Sequence, residues 1–103
     1  MLKIFKKLFE KPSHNMKAMI DDGAVIIDVR TPFEFKSGHL PGSRNIPLST
    51  LPAKVDELKK LNKRIITVCR SGSRSATAKN MLVAAGMDAC NGGAWQNLKE
   101  AVG

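Results

Sequence analysis

Residues 65–75 decide the fold class of this chain, and they read IITVCRSGSRS. Four of the first five are apolar and the stretch is rich in β-branched side chains, which is typical of a strand that is buried on both faces. Residues 71–75 predict a tight loop, and residues 76–85 predict a helix that Gly86 ends. A buried strand that leads through a short loop into a helix indicates a parallel sheet in an α/β fold.

The predicted strands on either side extend this pattern. Residues 24–29 (AVIIDV) predict another buried strand, and residues 87–90 predict a short third strand that Gly92 and Gly93 break. Residues 31–47 are rich in proline and glycine and predict a turn-rich connection. We therefore expect a central parallel sheet with helices on both of its faces.

Helices separate the predicted strands. The first is expected to begin at a cap, Ser13 or Asn15, and to end at Gly23. Another opens at Ser49 or Thr50, and a last helix fills the C-terminus. No linker or internal repeat interrupts residues 13–103, so we expect a single domain there and a separate extension over residues 1–12.

Composition and cysteine count exclude several classes of protein. The chain has 103 residues, 43% hydrophobic and 25% charged, as in one small globular domain. Cys69 and Cys90 are too few for a disulfide framework or a four-ligand zinc site. No apolar run can span a bilayer and no signal-peptide core is present, so we expect no transmembrane segment and a cytoplasmic protein.

The chain is basic, with a net charge of +8. Its basic run over residues 59–64 has no aromatic residues interleaved, and no nucleic-acid-binding module is recognisable. We therefore expect no nucleic-acid partner. The charge is expected to steer small anions toward the protein.

Residues 1–12 form the basic extension, and within it apolar residues recur at helical spacing opposite lysines over residues 1–11. Such an amphipathic helix could lie on an anionic membrane surface or dock on a partner. It could also pack on its own domain or fray. We favour this last interpretation over peripheral membrane contact, because so short a helix is marginal in isolation.

Cys69 ends a predicted strand at the sheet edge where parallel folds place their functional sites. Gly72 and the serines beside it let the loop curl so that its N–H groups point inward, backed by the N-terminus of the next helix. Arg70 and Arg74 add two permanent charges. Because cations and helix N-termini lower the pKa of a thiol, we predict a Cys69 thiolate that attacks an anionic substrate.

The chain resembles the rhodanese-homology domain, a single-domain sulfurtransferase of the thiosulfate sulfurtransferase class. The resemblance covers nearly all of residues 13–103. The first group of motifs comprises residues 27–32 (IDVRTP), 34–35 (EF), 38–43 (GHLPGS) and 45–47 (NIP). The second group comprises the loop of residues 69–75, residues 85–86, and Gly92-Gly93 followed by Trp95.

The resemblance implies a two-step sulfur transfer that needs no metal and no organic cofactor. The Cys69 thiolate would take the outer sulfur of thiosulfate or a related small anionic donor, and cyanide or a thiol, including one on a sulfur-accepting protein, would then accept it. Six N–H groups would hold the persulfide intermediate, those of Arg70, Ser71, Gly72, Ser73, Arg74 and Ser75. Asp28 and Arg30 are expected near the loop, supporting it or the substrate.

Two other functions stay open. A domain of this kind can deliver sulfur to a dedicated protein or sense redox state, with residues 1–11 as its docking element. A cysteine phosphatase or arsenate reductase is disfavoured. Arg74 follows Cys69 in a C-x4-R spacing, whereas the phosphatases that share this fold use C-x5-R and a wider loop.

Three further residues have structural interpretations. Cys90 lies near the end of a predicted strand, and we favour a small buried residue over a thiol that resolves the Cys69 persulfide into a disulfide. The carboxylate of Asp28 ends a buried strand and needs hydrogen bonds from the loop or an arginine partner. Arg30 is expected to belong to the scaffold.

Overall fold

A computed structural model describes residues 12–103 of the chain. Residues 1–11, and with them the predicted amphipathic helix, lie outside the described residues. Pro12 is the first residue of a helix, so the predicted caps Ser13 and Asn15 are wrong, because both lie inside that helix. A proline suits the first helical position, where no N–H is needed.

Regular elements follow one another closely along the described residues. The helices are α1 (Pro12–Asp21), α2 (Pro32–Ser37), α3 (Leu51–Leu61), α4 (Ser73–Ala84) and α5 (Trp95–Val102), with a 3-10 turn at Leu48–Thr50. The strands are β1 (Val25–Asp28), β2 (Arg44–Asn45), β3 (Ile65–Cys69) and β4 (Ala89–Ala94). No helix among residues 12–103 is long and apolar enough to cross a membrane.

The four strands form one parallel sheet in the order β2-β1-β3-β4. β1 and β3 lie side by side in its centre, with Val25 opposite Ile65 and Asp28 opposite Val68. The carboxyl ends of these two strands therefore meet at one edge of the sheet, which brings Asp28 close to Cys69. The predicted α/β class is confirmed.

Helices cover both faces of this sheet, as predicted. On one face α3 and α4 bury their apolar side chains against the strands, and the cluster includes Leu51, Leu58, Ala78, Leu82, Ile27 and Ile65. On the other face α1 and α5 do the same through Met16, Leu98, Ile26, Ile66 and Val68. Since successive strand residues point to opposite faces, β3 feeds both clusters, and all five of its residues are buried.

The connection over residues 31–47 is more regular than predicted. It contains α2, which starts with a capping box: Thr31 Oγ1 accepts the N–H of Glu34 at 3.2 Å, and the Glu34 carboxylate accepts the N–H of Thr31 at 3.1 Å. The T-x-x-E signature of that box outweighs the prolines and glycines around it. The same connection contains β2, a two-residue strand that pairs with β1.

Two predicted boundaries near the sheet edge are also wrong. α4 begins at Ser73 rather than at residue 76, because Gly72, with φ of +101°, makes the left-handed turn that enters the helix. β4 continues through Gly92 and Gly93, with a register shift opposite residues 67 and 68. A bulge tolerates glycine where chains approach closely, and a Cβ on Gly92 would lie 2.7 Å from Ile66 Cγ2.

Candidate active site

Cys69 lies at the carboxyl end of β3 and is 1% exposed. Its Sγ accepts hydrogen bonds from the N–H of Gly72 at 3.0 Å and from the N–H of Ser75 at 3.3 Å. The hydroxyl oxygen of Ser75 lies 3.3 Å from the same sulfur. The loop between β3 and α4 is therefore wrapped around the Cys69 sulfur.

This loop is shorter than predicted, because α4 takes up its second half. Residues 70–72 remain between strand and helix, and residues 73–75 form the first helical turn. The N–H of Ser75 thus belongs to the helix N-terminus, whose free N–H groups favour a negative charge. Loop and helix both contribute a donor to the sulfur.

These contacts act against the effect of burial on the thiol. Burial disfavours the charged form and alone would raise the pKa. Hydrogen bonds to the charged form come from the hydroxyl and N–H of Ser75 and from the N–H groups of Gly72 and Ser71. They outweigh burial and hold the pKa of Cys69 below the ordinary thiol value. The predicted direction is confirmed, with hydrogen bonds as its source.

The two loop arginines have different partners. Arg74 forms a bidentate ion pair with Glu34 of α2, with Nη1–Oε1 at 2.8 Å and Nη2–Oε2 at 3.0 Å. The bonds from this guanidinium help to lower the pKa of Glu34 to about 2. Arg70 is exposed and makes no ion pair with another residue of the described part of the chain. Of the two loop arginines, Arg70 is therefore the one whose charge has no ion-pair partner among the described residues.

Asp28 and Arg30 form an ion pair at the end of β1, where Asp28 is 0% and Arg30 is 5% exposed. The carboxylate accepts the backbone N–H of Arg30 at 3.0 Å, its Nε at 2.9 Å and its Nη2 at 2.8 Å. Nη2 also donates to the carbonyl of Gly38 at 2.7 Å. Of the two partners expected for Asp28, loop N–H groups or an arginine, the structure shows the arginine, Arg30. This ion pair lies beside the Cys69 loop.

A cleft of about 390 Å³ opens beside the loop. It is lined by Arg30, Phe33, Glu34, Ser37, Gly38, Arg70, Trp95 and Gln96. The guanidinium of Arg30 lies 4.8 Å from the centre of the Trp95 ring, a cation–π contact that closes one wall. A larger cleft of about 600 Å³, lined by Lys59, Lys63 and Arg64 among others, lies at the opposite, amino ends of β3 and β4.

Ser75 and Asn91 connect the sulfur to β4. The Ser75 hydroxyl donates to Asn91 Oδ1 at 2.6 Å, and Asn91 Nδ2 donates to the Gly72 carbonyl at 3.1 Å. Neither Asn91 nor Glu34 was predicted as a site residue. The capping-box spacing marked Glu34, whereas nothing local marked Asn91, whose position depends on the bulge in β4.

Cys90 does not approach Cys69. It pairs in register with Ile66, three residues before Cys69 on the neighbouring strand, about 10 Å along the sheet at about 3.3 Å per residue. The two side chains also point to opposite faces, since Cys69 packs with the α3–α4 cluster and Cys90 with the α1–α5 cluster. A disulfide needs Cα atoms within about 7 Å, so the two cysteines cannot pair without rearrangement of the sheet. Burial raises the pKa of Cys90.

A family model described as "Rhodanese-like domain" matches residues 13–98. The chain belongs to the rhodanese-like family. The match takes in every residue of the Cys69 loop, both ion pairs beside it and Asn91, so the site lies wholly within the shared domain. The resemblance found in the sequence is thereby confirmed.

Curated relatives of this rhodanese-like chain include sulfurtransferases. It is 35% identical over 79 residues to the thiosulfate sulfurtransferase GlpE of Stutzerimonas stutzeri, covering 77% of this chain and 69% of that protein. It is 42% identical over 59 residues to the uncharacterized protein YqhL of Bacillus subtilis, covering 57% of this chain but only 46% of YqhL. A sulfurtransferase role is the one that these names support.

Solved structures resemble this rhodanese-like domain over most of its length. SSP1007 from Staphylococcus saprophyticus is 28% identical, with a TM-score of 0.71 over 88% of this chain and 92% of that one. The CoADR-RHD structure from Bacillus anthracis is 34% identical, with a TM-score of 0.69 over 87% of this chain and 16% of that one. The human single-domain sulfurtransferase TSTD1, 24% identical, shares the fold with a TM-score of 0.71 over 84% of this chain and 90% of that one.

Replacing the buried carboxylate should destabilise this rhodanese-like domain strongly. Asp28→Asn leaves the Arg30 guanidinium buried without a counter-charge, and we expect a loss of about 3–5 kcal/mol in the free energy of unfolding. Asp21→Asn is the matched control, because Asp21 pairs with Lys17 on the surface, where a pair contributes less than about 1 kcal/mol. Urea unfolding of both variants measures the difference, and equal losses would contradict the assigned role of Asp28.

The Glu34–Arg74 pair should make stability depend on acid pH. The pKa of Glu34 is about 2 in the folded chain and 4.5 ordinarily, so its contribution is complete above about pH 4.5 and is lost as pH falls toward 2. Wild type should therefore exceed Glu34→Gln in free energy of unfolding at pH 6, and the gap should shrink at pH 3.

Urea unfolding at both pH values tests this expectation. Glu57→Gln serves as the control, since Glu57 forms an exposed contact with Lys54 at 3.8 Å and should show little gap at either pH. A wild-type advantage that is the same at pH 3 and pH 6 would show that the Glu34 pair does not supply the pH dependence.

Proposed function

We propose that Cys69 carries sulfane sulfur from thiosulfate, or a related small anionic donor, to cyanide or a thiol. The proposal is carried by one observation: the sulfur of Cys69 is buried and accepts hydrogen bonds from two backbone N–H groups at 3.0 and 3.3 Å. Such a sulfur is activated as a nucleophile without a neighbouring base. The sulfurtransferases among the relatives support the same reaction class.

The first step forms one S–S bond and breaks another. The Cys69 thiolate attacks the outer sulfur of thiosulfate, and sulfite leaves with the electron pair of the donor's S–S bond. No oxidant is required, because the transferred atom arrives at the oxidation level that it keeps. The product is a Cys69 persulfide anion, whose charge the surrounding N–H groups stabilise.

In the second step cyanide or a thiolate attacks the outer sulfur of the persulfide. The Cys69 thiolate leaves with the electron pair, so thiocyanate or a new persulfide departs and the starting form returns. A thiol, on a small molecule or on a sulfur-accepting protein, is the cellular acceptor that we favour. The reducing cytoplasm would keep Cys69 free for this cycle.

The residues around Cys69 divide the work. The N–H groups of residues 70–75 form the cradle, with Gly72 and Ser75 already bonded to the sulfur. Arg70 binds the sulfonate end of the donor in the adjoining cleft. Arg74 acts as a positioning residue by holding the first turn of α4 against Glu34, and the Asp28–Arg30 pair supports the wall of the cleft.

Phosphate ester hydrolysis fits this site less well. The carboxylates of Asp28 and Glu34 are engaged by arginines, so neither of these two is placed to protonate a leaving group. Arg74, which would have to face a phosphoryl group, is held by Glu34 instead.

Thiosulfate should add one sulfur atom to Cys69. Intact mass spectrometry of the reduced protein before and after thiosulfate should show a reducible gain of one sulfur in the wild type and none in Cys69→Ala. Cys90→Ala is the matched control and should gain the sulfur normally, because Cys90 lies on the other face of the sheet. Equal gain in Cys69→Ala would refute the proposed carrier, and no gain in the wild type would refute thiosulfate as its donor.

Removing the charge of Arg70 should weaken donor binding more than turnover. Arg70→Ala should raise the KM for thiosulfate by roughly three- to tenfold, the loss of about one charge-assisted hydrogen bond, with a smaller change in kcat. Steady-state thiocyanate formation measures both constants. Arg64→Ala is the matched control, since it removes the same charge at the amino end of β3; an equal rise in KM there would assign the effect to net charge rather than to contact.

A further inference from the structure

Both ends of the Asn91 side-chain amide form hydrogen bonds beside the Cys69 sulfur. Nδ2 donates to the carbonyl of Gly72 at 3.1 Å, and Oδ1 accepts the N–H of Gly93 at 2.9 Å. A flipped amide would set donor against donor and acceptor against acceptor, so these two contacts fix the orientation. The end that faces the Ser75 hydroxyl, at 2.6 Å, is therefore the oxygen.

The Ser75 hydroxyl has one proton and two groups that can accept it. Asn91 Oδ1 has no proton, so Ser75 is the donor in that contact. Its oxygen then turns a lone pair toward the Cys69 sulfur, 3.3 Å away. In the neutral thiol the S–H group of Cys69 completes the chain by donating to Ser75, which donates to Asn91.

Ionisation changes the hydrogen-bonding role of the Cys69 sulfur from donor to acceptor. A thiolate donates nothing, so after the thiol proton leaves to solvent its lone pairs face those of Ser75 Oγ. Rotation of the hydroxyl about its C–O bond turns the Ser75 proton to the sulfur, while Oδ1 of Asn91 keeps the N–H of Gly93. The thiolate then has the hydroxyl as well as the backbone donors.

We propose that the Ser75 hydroxyl swings from Asn91 to Cys69 as the thiol ionises, and that Asn91 is a positioning residue that opposes ionisation by competing for this proton. The proposal rests on Cys69 acting as the nucleophile proposed above. Asn91 thereby sets how much of Cys69 is charged before a donor arrives. Asn91 makes no hydrogen bond to the sulfur and does not line the cleft of Arg30 and Arg70, so it acts through Ser75.

The arginines on the elements around the sulfur are mostly paired with carboxylates, so the contact between Ser75 and Cys69 has a large influence on the ionisation of the thiol. Arg74 of α4 is neutralised by Glu34 of α2, and Arg30 at the end of β1 is neutralised by Asp28. Arg70, on the loop itself, is exposed. β4 contributes the uncharged Asn91, so the Ser75 proton is the mobile positive end nearest the sulfur.

The test is the pH profile of Cys69 alkylation by iodoacetamide, measured in a Cys90→Ala background to leave one thiol. Asn91→Ala frees the hydroxyl for the sulfur, so the midpoint should move to lower pH. Alkylation at a fixed pH below the wild-type midpoint should be about three- to tenfold faster, the range that one hydrogen bond sets. Loss of the bond to Gly72 alone would loosen the loop and move the midpoint upward or only change the plateau.

A double-mutant cycle separates competition from every other effect of Asn91. Ser75→Ala should move the midpoint to higher pH, because the thiolate loses a donor. Asn91→Ala added to Ser75→Ala should then have no further effect on the midpoint. A downward shift of the same size without the hydroxyl, or no downward shift with it, would overturn the proposal.

A spectroscopic measurement keeps the proposal testable should Asn91→Ala fail to fold. In the otherwise unaltered chain the side-chain amide resonances of Asn91 should titrate with the midpoint of Cys69 alkylation, and this titration should vanish in Ser75→Ala. Asn97, exposed on α5, is the internal control and should not titrate. Amide resonances of Asn91 that do not shift when Cys69 ionises would overturn the proposal. Loading of Cys69 with sulfur from thiosulfate tests the proposed function independently.

Discussion

Asp28 places a fully buried carboxylate at the carboxyl end of β1, and the shape of the site follows from how that charge is neutralised. A single arginine two residues away supplies the counter-charge, but a guanidinium has more N–H groups than one carboxylate can accept. The carbonyl of Gly38 takes one of them, and the ring of Trp95 covers the face of the group. One buried charge thus fixes the end of α2 and the start of α5, which are two walls of the cleft.

Pairing between charged side chains also determines which groups can stabilise a negative charge at the Cys69 sulfur. Two arginines near Cys69 are matched by carboxylates, so neither acts as a free cation. What favours a negative charge at the sulfur is the Ser75 hydroxyl together with the N–H groups around it, and Arg70 lies exposed on the adjoining cleft. The overall charge of +8 favours the arrival of anions, whereas in the proposed reaction the binding of a small anionic donor would depend on the donors around Cys69.

The central strands were predictable from sequence because burial on both faces favours a run of mostly apolar, β-branched residues, as in residues 65–69. The position of Cys69 and the αL turn at Gly72 were predictable on similar local grounds. β2 was not, because two residues carry no pattern of their own and become a strand only by pairing with β1. Glu34 and Arg74 lie forty positions apart, and Asn91 reaches Ser75 only through the bulge in β4, so no local spacing relates these residues.

The placement of the two cysteines affects how long a sulfur atom would remain bound to Cys69. Cys90 lies on the opposite face of the sheet, and the chain has no third cysteine. A sulfur atom held on Cys69 would therefore meet no thiol of its own molecule and could not be discharged as an internal disulfide. The persulfide would therefore persist until an acceptor on another molecule reacts with it. The rate of sulfur release would then depend on how often such an acceptor encounters the loaded domain.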